Sequence, residues 1–101
     1  MNFIVEYAKP VEREVQEILD WYKKKSLSAA INFLSQLNDA ENTIQENPFA
    51  YRRVSNQGIR RIVLKKFPYK VYFSIDNSIV YILAVIHFAR SSRYVRTRLK
   101  K

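Results

Sequence analysis

The amino-terminal half of the chain carries one short strand pattern and two helical patterns. Residues 3–7, "FIVEY", combine β-branched and aromatic side chains in the alternation that favours a strand. Beyond Pro10, which suits the first turn of a helix, apolar residues recur at helical spacing and predict an amphipathic helix. A second helix is predicted to begin at a cap on Ser26 or Ser28 and to end just before Pro48, because the residue preceding a proline disfavours the helical region. Two helices joined by so few residues form an αα-hairpin.

The carboxy-terminal half predicts three strands, at about 59–66, 69–75 and 79–87. The letters "DNS" at 76–78 indicate a hairpin turn between the last two strands. The third strand, "IVYILAVIH", is apolar on both faces, and such a strand usually lies in a sheet that is covered on both sides. We therefore expect the helices to cover one face of the sheet, and a terminal segment or a partner to cover the other.

The order of these elements predicts the fold class. A strand, two helices and an antiparallel meander argue for an α+β fold, with an amino-terminal strand and a two-helix hairpin packed on a small antiparallel sheet. The chain has 101 residues, of which 48% are hydrophobic, and this is enough for one compact core. We expect residues 1–101 to form a single domain, in which residues 95–101 are a mobile basic extension.

The composition excludes several kinds of site. The sequence has no cysteine and a single histidine, His87, which leaves too few ligands for a zinc centre, so we expect neither a metal nor another cofactor. No window approaches an uncharged membrane span, and the amino terminus lacks the pattern of a signal peptide. We expect a cytoplasmic protein with no membrane partner.

Charge is divided unevenly along the chain. The net charge is +9, but residues 1–50 hold five Lys or Arg against eight Asp or Glu, whereas residues 51–101 hold thirteen against Asp76 alone. A fold with its positive charge in one half presents a face that attracts polyanions. RNA, DNA, a ribosome and an acidic protein segment all fit this description, and charge alone does not distinguish them.

Several features of the carboxy-terminal half resemble a known family. They are "FPY" at 67–69, "YF" at 72–73, "AVIH" at 84–87, Arg90, and "RY" at 93–94 followed by Arg98. Together they resemble the RelE/ParE superfamily of type II toxin–antitoxin toxins, and in particular its ParE-like, plasmid-stabilisation branch. The resemblance extends upstream through the helical hairpin and "YRRV" at 51–54, so it covers nearly the whole chain. It implies a toxin that arrests growth and is neutralised by a cognate antitoxin, whose flexible segment wraps around it.

The resemblance implies one of two activities. ParE-like members are associated with inhibition of DNA gyrase, whereas RelE-like members are ribosome-dependent endoribonucleases that cut messenger RNA. Lys70 falls where the RelE-like branch has a phosphate-binding Arg, Tyr94 near its carboxy-terminal Tyr, and Arg61 where a Lys is common. Val63 stands where another basic residue is expected, so the nuclease set is incomplete and the ParE-like hypothesis is favoured. A non-toxic nucleic-acid-binding module is a third alternative, which no recognition helix or stacking motif supports.

The candidate site residues fall into two overlapping groups. The catalytic candidates are Lys70, His87, Arg90 and Tyr94, and the candidates for binding the target or a phosphate are Arg61, Lys65, Lys70, Arg90 and Arg93. Histidine side chains titrate near neutral pH, so His87 is either an acid or base, or a strand-end residue that hydrogen-bonds the backbone and fixes the following turn. The alternatives for Arg90 and Arg93 are phosphate or partner contact and plain solvated charge. For Tyr94 they are catalysis and packing against the core.

Overall fold

The computed structural model describes residues 3–100. In chain order its elements are β1 (Ile4–Tyr7), α1 (Lys9–Lys23), α2 (Leu27–Glu46), a 3₁₀ turn (Pro48–Ala50), β2 (Arg60–Val63), β3 (Tyr69–Asp76), β4 (Ile79–His87) and α3 (Ser92–Leu99). The α+β class and the predicted order of strand, helical hairpin and meander are confirmed. The last helix, α3, is an element that the sequence pattern did not predict. None of the helices in this part of the chain is long and apolar enough to cross a membrane.

The four strands form one mixed sheet in the order β1-β4-β3-β2. As predicted, β2, β3 and β4 are an antiparallel meander. Asn77, at the tip of the β3–β4 hairpin, has a φ of 55°, a conformation that Asn adopts more readily than most residues. The sequence predicted an antiparallel sheet, but β1 pairs with β4 in parallel, so the sheet is mixed. A parallel neighbour requires a long connection, and the chain that runs between β1 and β4 supplies it.

Local sequence chemistry sets the ends of the helical hairpin. Pro10 lies in the first turn of α1. Ser26 is the N-cap of α2, and its Oγ accepts a hydrogen bond from the N–H of Ala29 at 2.9 Å. Of the two predicted caps, Ser26 is therefore the one used, and Ser28 lies inside the helix. α2 ends at Glu46 with the following residue as its C-cap, at the predicted boundary.

The main core lies between the helical hairpin and one face of the sheet. Its fully buried side chains include Val11, Phe33, Ile44, Val71, Phe73, Val80 and Ile82. The ring of Phe33 on α2 lies 5.5 Å from that of Phe67 and 5.4 Å from that of Tyr69, measured between centroids. This aromatic cluster joins α2 to the turn that begins β3.

A β-bulge decides which apolar residues of β4 lie on each face of the sheet. Tyr72 pairs with Ala84 and Phe73 with Ile82, so Leu83 is an extra residue in β4. The extra residue shifts the alternation of the strand by one position. The β4 residues of the main core are Val80, Ile82 and Val85, whereas those of a second cluster on the other face are Ala84 and Ile86.

The second face of the sheet is covered by the chain's own carboxy-terminal segment. Val95 and Leu99, one turn apart on α3, pack against a buried cluster that includes Ile59 and Tyr72. Of the two covers that the sequence left open, a terminal segment or a partner, the structure shows the terminal segment.

Of the residues 95–101 predicted to be a mobile basic extension, the structure assigns those up to Leu99 to α3. Ser91 caps α3, with its Oγ accepting a hydrogen bond from the N–H of Tyr94 at 3.0 Å. The cap and the packing together order a segment that the sequence presents as basic and polar. Lys101 lies outside the described residues.

Candidate functional site

The sheet face that α3 partly covers carries basic residues on β2 and β3. Arg61 lies opposite Tyr72, and Val63 lies opposite Lys70. Directly opposed residues share a face, as do alternate residues along a strand, so all four side chains belong to this face. Arg61 and Lys70 are half-buried, whereas Val63 is 47% exposed.

α3 and the segment before it complete a groove of ≈ 250 Å³ over this face. Its basic lining residues are Arg61, Lys70, Arg90 and Arg96, and we call this surface the basic groove. The structure thus brings together three of the predicted residues. Arg96 was missed because α3 was not predicted. The sequence does contain a signal for α3, namely Ser91 as a cap and the four-residue spacing of Val95 and Leu99.

Two cationic side chains of the basic groove lie over aromatic rings. The Nζ of Lys70 lies 5.5 Å from the centroid of the Phe88 ring, and the Cζ of Arg90 lies 4.4 Å from that of Tyr94. Such cation–π contacts hold a charge in position without neutralising it. Tyr94 is 36% exposed and supports Arg90, a role that neither of its predicted alternatives anticipated.

The charge of the basic groove is uncompensated. No carboxylate lines it, and the one ion pair among residues 3–100 joins Arg98 to Glu14, outside the groove. Like charges on a surface without acidic neighbours produce a strong local positive potential. The expected polyanion-attracting face is therefore a defined surface of the folded chain.

The Arg98–Glu14 pair fixes the position of α3. The Nε of Arg98 donates to Oε2 of Glu14 at 2.8 Å, and its Nη2 donates to Oε1 at 3.1 Å. The same Nη2 donates to the carbonyl of Leu83 at 2.9 Å, and the N–H of Val85 donates to Glu14 at 3.3 Å. β1 ends opposite Ile82, so the carbonyl of Leu83 and the N–H of Val85 have no partner on β1. The side chains of Arg98 and Glu14 form hydrogen bonds with these two groups instead. We call this arrangement the Glu14–Arg98 clamp.

His87 lies on the opposite face from the basic groove. It pairs with Tyr69 at the end of β4, and the two rings meet edge-on with centroids 5.1 Å apart. Its Nδ1 accepts a hydrogen bond from the N–H of Ala89 at 2.9 Å. His87 therefore has the contact expected of a residue that fixes the turn after the strand. The structure does not bring it together with Lys70.

A second groove of ≈ 190 Å³ surrounds His87. Its charged and aromatic lining residues are Glu14, Glu17, Trp21, Tyr69, His87, Arg90 and Tyr94. This groove holds both signs of charge, unlike the basic groove. Burial, together with the neighbouring Tyr22, raises the pKa of Tyr69 to about 12. The Tyr69 hydroxyl therefore stays protonated to a higher pH than that of an exposed tyrosine.

The remaining predicted residues lie elsewhere. Lys65 follows β2 and lines a separate groove with Gln36 and Asp39 of α2. Arg93 is exposed in the first turn of α3 and lines neither the basic groove nor the groove around His87. Of the residues proposed to bind a target or phosphate, only Arg61, Lys70 and Arg90 form one surface. Across the described part of the chain, His, Asp and Glu side chains form no group of three or more that could hold a metal ion.

A comparison with family models identifies the family to which the chain belongs. The family model of the ParE toxin of type II toxin–antitoxin systems, parDE, matches residues 5–91. The chain belongs to the ParE toxin family of type II toxin–antitoxin systems. The match includes Arg61, Lys70 and Arg90 of the basic groove, whereas Arg96 lies beyond it. No curated protein sequence shows significant similarity to the chain.

Solved structures share the fold of this ParE-family toxin. A chain of the chromosomal ParDE toxin–antitoxin system of P. aeruginosa superposes with a TM-score of 0.74 at 16% identity, covering 84% of this chain and 95% of that one. The isolated E. coli RelE toxin gives a TM-score of 0.61 at 17% identity over 94% of both chains. A mutant of E. coli RelE in the free state gives 0.59 at 15% identity, over 94% of this chain and 93% of that one. The predicted RelE/ParE membership is confirmed.

Proposed function

We propose that this toxin arrests growth in the cytoplasm by inhibiting DNA gyrase, and that a cognate antitoxin neutralises it. Membership of the ParE family supports this target, because ParE-like toxins are associated with gyrase. The basic groove is the surface with which the toxin would contact its target. Its uncompensated charge also suits an acidic antitoxin segment that folds on binding.

The positions of Val63, Lys70 and His87 favour binding of a protein target over cleavage of RNA. Cleavage of RNA by its 2′-hydroxyl requires a base, positive charge at the phosphate, and an acid for the leaving oxygen. The basic groove offers positive charge, but Val63, directly opposite Lys70, has no titrating group. His87 lies on the other face, with its Nδ1 bonded to the backbone. These positions favour contact with a protein target over catalysis.

The second candidate is a RelE-like, ribosome-dependent endoribonuclease. The grouping of Arg61, Lys70 and Arg90 in one groove favours it, since three cations can hold a scissile phosphate. In this hypothesis Tyr94, beneath Arg90, would stand beside the reacting atoms.

Two parallel assays test the target. Purified toxin is added to gyrase with relaxed plasmid, and separately to ribosomes translating a defined messenger RNA. Gyrase inhibition predicts loss of supercoiling with intact transcripts. Cut transcripts accompanied by normal supercoiling would reject the gyrase target in favour of the nuclease.

Substitutions test the surface. Lys70→Ala and Arg90→Ala should abolish inhibition while antitoxin binding persists, because an antitoxin that wraps around the toxin makes many other contacts. Lys24→Ala, which removes an exposed charge at the end of α1, should retain full activity. Wild-type activity in both groove variants would exclude the basic groove as the site.

A further inference from the structure

The loop between the 3₁₀ turn and β2 presents a second set of arginines, outside the basic groove. Arg52 and Arg53 are both exposed. With Arg61 they line a wide groove of ≈ 640 Å³, whose other lining residues are Val54, Ser55 and Asn56. We call this surface the loop groove. Every side chain of this groove except that of Val54 can donate a hydrogen bond.

The loop is held in one conformation by its own hydrogen bonds. Arg53 forms an isolated antiparallel bridge with Arg60, and the N–H of Val54 donates to the carbonyl of Ile59 at 2.7 Å. The Oγ of Ser55 accepts from the N–H of Ile59 at 3.3 Å. The arginines therefore extend from an ordered hairpin, which lowers the entropy lost when they bind a ligand.

Arg60 shows what a structural arginine does in this loop. Its Nη1 donates to the carbonyl of Tyr51 at 2.6 Å, and its Cζ lies 5.4 Å from the centroid of the Phe49 ring. Arg52, Arg53 and Arg61 differ, because none of them pairs with a carboxylate or has a hydrogen-bond acceptor within residues 3–100. Their guanidinium groups are available to an external anion.

The two arginine-lined surfaces are continuous. Val54 and Arg61 line both the loop groove and the basic groove, so cationic side chains run from Arg52 across the sheet face to Arg90 and α3. A row of cations along an open groove matches a ligand with regularly repeated negative charge.

We propose that this row binds the phosphodiester backbone of nucleic acid, with Arg52 and Arg53 each contacting one phosphate. The planar fork of a guanidinium fits two phosphate oxygens at once. An acidic protein segment fits the part of the row at Arg52 and Arg53 less well, since protein interfaces rely on aromatic or aliphatic anchors and the loop groove offers only Val54. The proposal goes beyond gyrase inhibition and does not depend on it.

Fluorescence anisotropy with the full chain tests the proposal, with labelled duplex DNA, single-stranded DNA and RNA of one sequence as probes. The three probes share the backbone and distinguish the source of the phosphates. On duplex DNA each phosphate contact contributes about 0.9 to the slope of log affinity against log salt, so the double variant Arg52→Ala, Arg53→Ala should lower the slope by about 2 and the affinity about 60-fold near 0.1 M salt. The matched control Lys23→Ala, Lys24→Ala removes the same charge from the exposed end of α1 and should leave both quantities unchanged.

Three results would overturn the proposal. One is an equal loss of affinity in the lysine control, which would assign binding to net charge. Another is a salt slope that the arginine variant does not change, or the absence of binding to all three probes. The third is displacement of the probe by an acidic peptide as effectively as by unlabelled nucleic acid. The arginine variant should keep the far-UV circular dichroism of the wild type, because both side chains are exposed.

Discussion

The Glu14–Arg98 clamp allows a direct test of what holds α3 on the sheet. This helix has eight residues and no buried side chain. An isolated helix of that length is not stable in water, so α3 depends on its contacts with the rest of the fold. Arg98→Ala removes both bonds to Glu14 and the bond to the Leu83 carbonyl, leaving only the packing of Val95 and Leu99.

The expected cost follows from the geometry of the clamp. A hydrogen bond to a charged group contributes about 1.5–3 kcal/mol. The side chains of Arg98 and Glu14 are only 20% and 19% exposed, so solvent screening is incomplete. Once α3 detaches, however, water rehydrates the carboxylate and recovers part of the loss. We therefore expect Arg98→Ala to lower the free energy of unfolding by about 2–3 kcal/mol and the melting temperature by roughly 10 °C.

Two measurements on one pair of variants check this expectation. Urea denaturation followed by circular dichroism gives the free energy of unfolding, and amide hydrogen exchange reports protection within α3. The control is Arg96→Ala, which removes an exposed arginine from the same helix without breaking an ion pair and should change stability by less than about 0.5 kcal/mol. Equal stability of the two variants, or undiminished protection of α3 in Arg98→Ala, would refute the clamp.

Three further predictions concern the helices and the core. Ser26→Ala should lower the free energy of unfolding by about 1 kcal/mol through loss of the cap, whereas Ser28→Ala should not; equal effects in urea denaturation would contradict the assignment of the cap. Phe33→Ala should cost about 3–5 kcal/mol because its ring is fully buried, and Leu34→Ala, at 41% exposure, should cost under about 1 kcal/mol in the same assay. The pKa of Tyr69 is raised to about 12 in the fold, so its stabilising contribution is complete below about pH 10 and is lost as the pH rises towards 12. Urea denaturation across this range should show a shallower alkaline loss for Tyr69→Phe, and an unchanged loss would exclude that residue as a cause.

The sequence predicted the elements whose periodic pattern is long. The helical hairpin and the meander each carry many apolar positions at one spacing, and their bounds agree with the structure to within a few residues. α3 has two apolar positions, Val95 and Leu99, among basic and polar ones, and this is too few for periodicity to identify. The parallel pairing of β1 was not predicted because a strand's local pattern does not name its partner.

The candidate site was predictable where strand register alone decides it. The register of β2 with β3 places Arg61 and Lys70 on one face, and Arg90 lines the same groove; that these residues form a site stays a prediction. The position of His87 depends instead on the bulge. A bulge is a single unpaired residue, and the sequence "YILAV" gives no sign of one.

That bulge determines much of the chemistry of this surface. Val80 and Ile82 face the helices, so unbroken alternation would place His87 on the basic face, beside Lys70. The extra residue, Leu83, reverses the alternation and moves the only histidine to the other side of the sheet.

The same residue contributes to the clamp that holds α3. The carbonyl of Leu83 accepts from Arg98, and the N–H of Val85, two positions on, donates to Glu14. α3 in turn completes the basic groove and contributes Arg96 to it. One local irregularity in β4 thus places His87 on the sheet face away from Arg61 and Lys70 and helps to assemble the cations of the basic groove, an arrangement suited to binding a polyanion.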